Sequence, residues 1–225
     1  MKSRNGLFIF AFFSVMALFS FIQIKPKKVV LFGDSITQAG VGPGGYITMM
    51  KEMLDKAGKG ADFELVGAGI GGNKIYDLYL RYEEDVLAKN PDIVIIFVGV
   101  NDVWHKASSG TGTDADKFTK FYTTLVKKLQ AKGITVMLCT PAAIGERTDF
   151  SNQQDGDLNY YAGIIRKLAI ELNCNLIDLR KEFLAYNLAN NPENKDRGIL
   201  TTDRVHLNEK GNKFVAELML KGLGI

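Results

Sequence analysis

Cysteine, histidine and tryptophan are all scarce in this chain of 225 residues, which has two, two and one of them respectively. The two cysteines, Cys139 and Cys174, cannot build a disulfide framework, and they lack the paired spacing of a zinc site. They are expected to be small buried hydrophobic residues. A single bridge is the alternative, because both flank predicted strands. The only histidines are His105 and His206.

A net positive charge is also absent once the first residues are set aside. The formal net charge is +3, but five cations lie within the first 28 residues, so the rest of the chain carries about −2. No cluster of Lys and Arg falls on a predicted helix, which argues against a nucleic-acid partner. Repeats and low-complexity tracts are absent. The content of 46% apolar and 24% charged residues is that of a globular protein, and the length fits one domain.

The N-terminal segment has a composition of its own. Two basic residues precede an almost uninterrupted apolar run over residues 6–24, and three lysines follow it. The run is long enough to span a bilayer, which takes roughly 17 to 25 residues. Residues 1–28 are therefore predicted to be an export signal peptide or a membrane anchor. Either would place the protein in the periplasm, outside the cell or on the membrane. A buried helix of the domain is the alternative.

Beyond the leader, residues 29–225 alternate short apolar runs with longer segments of helical periodicity. The predicted strands are 29–32, 63–66, 93–98, 134–139 and 176–177, and the predicted helices are 46–57, 76–88, 116–131, 158–172 and 208–220. Strands continuous in Val, Ile and Leu are typical of parallel sheets covered on both faces. The pattern predicts an α/β protein, a three-layer α/β/α sandwich with a five-stranded parallel sheet. Two polar stretches, 106–113 and 142–157, are predicted to be loops that wall a substrate crevice.

Two polar segments at opposite ends of this domain carry residues suited to nucleophilic catalysis. The first predicted strand runs into Gly33-Asp34-Ser35, which puts a serine at the carboxyl end of a buried strand. Serine needs a base to take its proton, and the imidazole of His206 is a suitable one. Asp203, three residues earlier, can orient that imidazole. The structural alternative is that both segments merely cap the helices that follow.

Two further segments offer donors for the oxyanion of a tetrahedral intermediate, which needs two or three fixed donors. The backbone N–H groups of Gly72 and Ser35 and the side-chain amide of Asn101 can supply them. Tight turns are the alternative role for the glycines and for Asn101. Each alternative is plausible for one feature. The four features differ in type, catalysis requires each of them, and each lies at the end of a strand or beside the last helix. Their occurrence together favours a catalytic site.

In order, these segments resemble the conserved blocks of the SGNH (GDSL-type) hydrolase family. The matching blocks are Gly33-Asp34-Ser35, Gly72, Gly99-x-Asn101-Asp102 and Asp203-x-x-His206, and the likeness spans about residues 28–222. The resemblance implies a flavodoxin-like α/β/α domain and an ester hydrolase that needs no metal or cofactor and works through an acyl-enzyme. It makes Ser35 the nucleophile, His206 the base and Asp203 its partner, with Ser35, Gly72 and Asn101 as oxyanion donors.

Two details of the resemblance concern the neighbours of these residues. Gly67 stands where many members of the family have asparagine, and Gly72 is taken as the glycine of its block because it directly precedes Asn73. Asp102 is expected to hold its loop. Trp104 and His105 are left out of the catalytic set, since they either line the acyl or leaving-group pocket or simply pack there.

The implied activity is hydrolysis of a carboxylic ester of short-acyl, acetylated-carbohydrate or lysophospholipid type. The expected partner is a small-molecule or carbohydrate ester, with attachment to a membrane through residues 1–28 as a further expectation. Two alternatives stay open. An acyltransferase that moves an acetyl group to a sugar would use the same residues, and an inactive carbohydrate-binding module would keep the fold without turnover.

Overall fold

A computed structural model of the chain describes residues 25–225. The prediction of a leader over residues 1–28 falls almost entirely outside this range. Within the range, no helix is both long enough and apolar enough to cross a membrane.

The sheet has five parallel strands in the order β2-β1-β3-β4-β5. The strands are β1 (Lys27–Gly33), β2 (Phe63–Gly69), β3 (Ile93–Phe97), β4 (Thr135–Cys139) and β5 (Asn175–Ile177). All five overlap the predicted strands, and the α/β class is confirmed. The order is that of the flavodoxin-like fold, in which the topology reverses between β1 and β3. Ligands of such sheets bind beyond the carboxyl ends of the strands at this reversal.

Among residues 25–225, eight α-helices cover the two faces of the sheet. They are α1 (Ser35–Gly40), α2 (Tyr46–Lys56), α3 (Ile75–Asp85), α4 (Val100–Ser108), α5 (Ala115–Gln130), α6 (Asp155–Glu171), α7 (Leu179–Asn190) and α8 (Glu209–Gly222). Helix α2 packs on α8, and on the other face α3 packs on α5 and α5 on α6. The central strands carry buried apolar runs because both of their faces are covered, and Val29 to Phe32 of β1 are at most 1% exposed.

The prediction misses three of these helices and is wrong about part of both loops. Helices α1, α4 and α7 have no predicted counterpart, and α4 takes up the first residues of the predicted loop 106–113. The predicted loop 142–157 ends early because α6 begins at Asp155. Its first part is a buried segment, since Ala142, Ala143 and Ile144 are at most 2% exposed. The segment therefore belongs to the core of the domain.

Both cysteines are free. Cys139 lies in the core with its sulfur 3.8 Å from that of Met219, and Cys174 is partly buried with its sulfur 3.5 Å from the Gln130 amide nitrogen. The alternative of a single bridge between them is therefore wrong, and Cys139 packs as a small apolar residue.

Candidate active site

The structure brings the serine and the histidine from opposite ends of the domain into contact. Ser35 lies two residues after the end of β1 and is the first residue of α1, while His206 lies in the loop before α8. The Ser35 hydroxyl is 2.9 Å from Nε2 of His206. This is the distance of a hydrogen bond across which a proton can move from the hydroxyl to the ring.

Asp203 holds the other side of the imidazole. Its Oδ2 is 2.6 Å from Nδ1 of His206, and its Oδ1 accepts the backbone N–H groups of Val205 and His206 at 3.1 and 2.8 Å. Burial raises the pKa of Asp203, but the hydrogen bonds from the His206 ring and from these backbone groups outweigh burial and hold the pKa below its ordinary value. The carboxylate therefore stays ionised at neutral pH and can stabilise an imidazolium.

The three predicted oxyanion donors lie beyond the carboxyl ends of three neighbouring strands, β1, β2 and β3. Gly72 is in the turn after β2 with φ of +74°, a backbone conformation that glycine adopts without strain. The amide of Asn101, in the first turn of α4, donates one hydrogen to the carbonyl of Asn73 at 3.1 Å, which leaves its second hydrogen for another acceptor. Within residues 25–225, the backbone N–H groups of Ser35 and Gly72 donate to no protein acceptor.

The close approach of the chain near Ser35 also depends on a glycine. A Cβ at Gly69, the last residue of β2, would lie 2.1 Å from the backbone nitrogen of Gln38 and 2.7 Å from the carbonyl oxygen of Asp34. No side chain fits at such distances. Gly69 therefore lets the end of β2 meet the first turn of α1, which brings the loop that carries Gly72 towards the serine.

Two buried carboxyl groups flank this constellation. Asp34 caps α1 by accepting the Ile36 N–H at 3.0 Å, and burial raises its pKa to about 7. Asp102 accepts the Ile75 N–H at 3.3 Å, and burial raises its pKa to about 6. The bond from Ile75 ties the start of α4 to the start of α3, as expected for a residue that holds its loop.

Trp104 lies beside the site, and within the described residues neither Trp104 nor His105 forms a hydrogen bond with Ser35 or Asp203. The Trp104 ring meets the His206 ring edge-on, with 6.3 Å between centroids. Burial, together with the charge of Lys74, lowers the pKa of His105. Trp104 therefore forms a wall of the site next to the imidazole.

Glu146, which lies outside the set predicted from the sequence, anchors the loop that presents the aspartate and the histidine. Its carboxylate is 1% exposed and accepts three consecutive backbone N–H groups at 2.7 to 2.8 Å, those of Ile199, Leu200 and Thr201. The neighbouring Gly145 N–H donates to the carbonyl of Arg204 at 2.9 Å. Arg204 itself has φ of +88°, a strained conformation for a residue with a side chain. These bonds hold the strained turn in place.

Comparisons with known proteins agree with this geometry. Residues 31–214 match the model of the GDSL-like lipase/acylhydrolase family. The crystal structure of an acetyl xylan esterase, AlAXEase, is 70% identical and superposes with a TM-score of 0.86 over 87% of this chain and 99% of its own. An acetylxylan esterase of Geobacillus stearothermophilus is 28% identical over 88% of this chain and 94% of its own length.

Solved structures of catalytic mutants are also similar to this chain. Three structures of an acetylxylan esterase from Geobacillus stearothermophilus, described as catalytic mutants, replace a serine, an aspartate or a histidine by alanine. Each is 25% identical with a TM-score of 0.78 or 0.79, over 91% of this chain and 97% of the other. The match over nearly the whole domain confirms the resemblance seen in the sequence: the chain belongs to the GDSL-like lipase/acylhydrolase family and is a carboxylic ester hydrolase.

Proposed function

We propose that this protein removes acetyl groups from an acetylated carbohydrate, xylan or its oligosaccharides, with Ser35 as the nucleophile of an acyl-enzyme mechanism. The observation that carries the proposal is the chain of contacts from Ser35 through His206 to Asp203, at 2.9 and 2.6 Å. The substrate class is supported by the two acetyl xylan esterases to which the chain is similar. The serine, aspartate and histidine replaced in the catalytic mutants are of the same three residue types.

In the first half of the reaction, the Ser35 oxygen forms a bond to the acetyl carbonyl carbon while Nε2 of His206 takes the hydroxyl proton. The carbonyl oxygen becomes an oxyanion, and the N–H groups of Ser35 and Gly72 and the Asn101 amide donate hydrogen bonds to it. The bond between this carbon and the sugar oxygen then breaks. His206 gives its proton to the departing sugar oxygen, and an acetyl-serine remains.

In the second half, water replaces the sugar. His206 takes a proton from the water as its oxygen attacks the acetyl carbon, the same donors hold the second oxyanion, and the bond to Ser35 breaks. The proton returns to the serine oxygen, and acetate leaves. Asp203 stays ionised throughout and stabilises the charged ring in both halves.

Solvent access to the site favours hydrolysis over transfer of the acetyl group to a second sugar. The side chains of His206 and Asp203 are 35% and 48% exposed. Water therefore reaches the imidazole without displacement of any part of the chain. A transferase needs to keep water away from its acyl-enzyme until the acceptor binds.

The experiment is labelling with a fluorophosphonate probe, together with release of acetate from acetylated xylo-oligosaccharides. We expect the wild-type protein to be labelled at Ser35 and Ser35→Ala to lose about 10⁴-fold or more of the activity. The control is Ser151→Ala, because Ser151 is an exposed serine in the segment after β4. A folded wild-type protein that is neither labelled nor active would refute the mechanism and favour a binding module.

The two remaining alternatives are tested by product analysis. Acetylated xylo-oligosaccharide is compared with lysophospholipid and with longer acyl esters, and preference for any of these would refute the assignment to carbohydrate. Unacetylated xylo-oligosaccharide is then added as an acceptor. Formation of new acetyl-sugar at the expense of acetate would identify a transferase.

We also infer that residues 1–28 direct export of the protein. Their apolar run between basic residues supports this, and a polymeric carbohydrate substrate is met outside the cell. The test is the mass of the protein recovered from soluble and membrane fractions. A full-length protein found only in the cytosol would contradict export, while a full-length protein in the membrane fraction would identify an anchor.

A further inference from the structure

Arg81 on α3 makes contacts that no block of the family resemblance accounts for. Its guanidinium donates to four acceptors at once: the carbonyls of Gly33 and Ala68 at 2.7 and 3.1 Å, the Asn73 side-chain oxygen at 2.7 Å, and the Asp85 carboxylate at 2.6 Å. The group also stacks on the Phe32 ring, with its central carbon 4.5 Å from the centroid. The side chain is 14% exposed.

Three of the four acceptors lie on segments that meet at the site, and the fourth, Asp85, lies on α3 itself. Gly33 ends β1 and stands two residues before Ser35, Ala68 lies near the end of β2, and Asn73 follows Gly72 directly. The carbonyl of Gly33 also accepts the Ile70 N–H at 3.3 Å, so both of its lone pairs are used. The planar fork of one side chain thus fixes the end of β1, the end of β2 and the turn after β2 relative to one another.

The hydrogen bond from Arg81 to Asn73 also helps to fix the positions of the oxyanion donors. The backbone carbonyl of Asn73 accepts the Asn101 amide, and its side-chain oxygen accepts Nε of Arg81. Asn73 therefore connects the arginine to the amide of Asn101 on one side and to the peptide of Gly72 on the other. Oxyanion donors act only when they are fixed before the charge develops, so a loose Asn73 weakens the stabilisation of the transition state.

We propose that Arg81 is a positioning residue that sets the geometry of the oxyanion donors relative to Ser35. The proposal rests on the proposed function, because it assigns Arg81 a role in holding the groups named there. Arg81 does not touch the substrate. Its loss is expected to reduce kcat while KM changes little, because the interaction it preserves is made in the transition state.

The test measures kcat and KM for p-nitrophenyl acetate with the variants Arg81→Ala, Asn73→Ala and the double variant. We expect a fall in kcat of about 10²-fold for Arg81→Ala, the effect of losing one oxyanion donor, with a change in KM of no more than about threefold. If Arg81 acts through Asn73, the double variant is no slower than Arg81→Ala alone. The rate of fluorophosphonate labelling of Ser35 should fall in parallel with kcat.

Arg166→Ala is the matched control, because Arg166 is also a partly buried arginine held by two hydrogen bonds, both to Asp178, but it contacts no segment of the site. It is expected to lower the thermal midpoint while kcat stays within about threefold of the wild type. If Arg81→Ala does not fold, Asn73→Ala still tests the proposal, since it removes only the acceptor.

Two results would overturn the proposal. One is a folded Arg81→Ala or Asn73→Ala protein whose kcat stays within threefold of the wild type. The other is a double variant whose loss equals the product of the two single losses, since Arg81 would then act independently of Asn73. Failure of the proposed function is distinguishable from both, because it would leave the wild-type protein unlabelled and inactive.

Discussion

Replacement of Asp34 by asparagine should change how the stability of the protein depends on pH. The Asp34 carboxyl is 1% exposed, and burial raises its pKa from 3.8 to about 7. In the unfolded chain the group ionises near pH 4, but in the folded protein it keeps its proton up to about pH 7. Unfolding therefore releases a proton between these values. The contribution of Asp34 to stability is complete below pH 4, falls as the pH rises towards 7, and is constant above.

The size of the effect follows from the two pKa values. Between pH 5 and pH 8 the folded protein loses about 2 to 3 kcal/mol of stability through this carboxyl group, at about 1.4 kcal/mol per pKa unit. Asparagine has the shape of the neutral acid, still accepts the Ile36 N–H as a helix cap, and does not titrate. Asp34→Asn should therefore lack this fall. Asp102, whose pKa is also raised and whose charge contributes to the raised pKa of Asp34, is present in both proteins.

The assay is urea denaturation of wild type and Asp34→Asn at pH 5, 6, 7 and 8. The difference in free energy of unfolding between the two proteins should shift in favour of the variant by about 2 to 3 kcal/mol from pH 5 to pH 8. Asp116→Asn, at an exposed aspartate of α5, is the control and should run parallel to the wild type. Parallel curves for Asp34→Asn, within about 0.5 kcal/mol, would refute the reasoning.

Three other substitutions test the site. Glu146→Gln leaves one backbone N–H of the loop facing the donor group of the glutamine amide. We therefore expect thermal melts to show about 2 kcal/mol less stability and kinetics to show a kcat at least tenfold lower. An unchanged kcat would show that the loop needs no such anchor. Asp203→Asn should lower kcat by about 10²- to 10⁴-fold with little change in the thermal midpoint, and an active variant would remove the aspartate from the mechanism. Gly72→Ala forces a residue with a side chain into φ of +74°, which should lower the free energy of unfolding by about 1 to 2 kcal/mol. It should also turn the N–H of residue 72 away from the oxyanion, which kinetics would detect as a lower kcat. Gly163→Ala, in the open middle of α6, should instead raise the melting temperature.

The spacing of apolar residues in the sequence predicts those strands and helices whose buried positions are apolar. All five strands and the helices α2, α3, α5, α6 and α8 belong to this class. Helix α7 does not, because two of its buried positions are the polar residues Arg180 and Asn187. The guanidinium of Arg180 is buried only because Asp155 and Asn159, both on α6, accept from it at 2.7 Å. These partners are brought by tertiary structure, so no pattern within residues 179–190 reveals the helix.

The residues of the site can likewise be divided into those that the sequence predicts and those that it does not. Ser35, Asp203 and His206 are visible in the sequence because each is a reactive residue type at the end of a strand or next to a helix start. Glu146 and Arg81 are not visible, because important partners of both are backbone groups that lie far away in the chain. Glu146 accepts from N–H groups 53 to 55 residues later, and Arg81 donates to a carbonyl 48 residues earlier. Any residue type offers such backbone groups, so neither end of the contact leaves a local signal.

The separation of 171 residues between Ser35 and His206 has a consequence for biosynthesis. The nucleophile is synthesised well before its base, and a loop of this length has to close before the two meet. A nascent chain that stops short of His206 carries the serine without its base. Hydrolytic competence therefore cannot arise until residue 206 has been made and the loop has closed, so the serine stays unactivated while the residues between the two are synthesised.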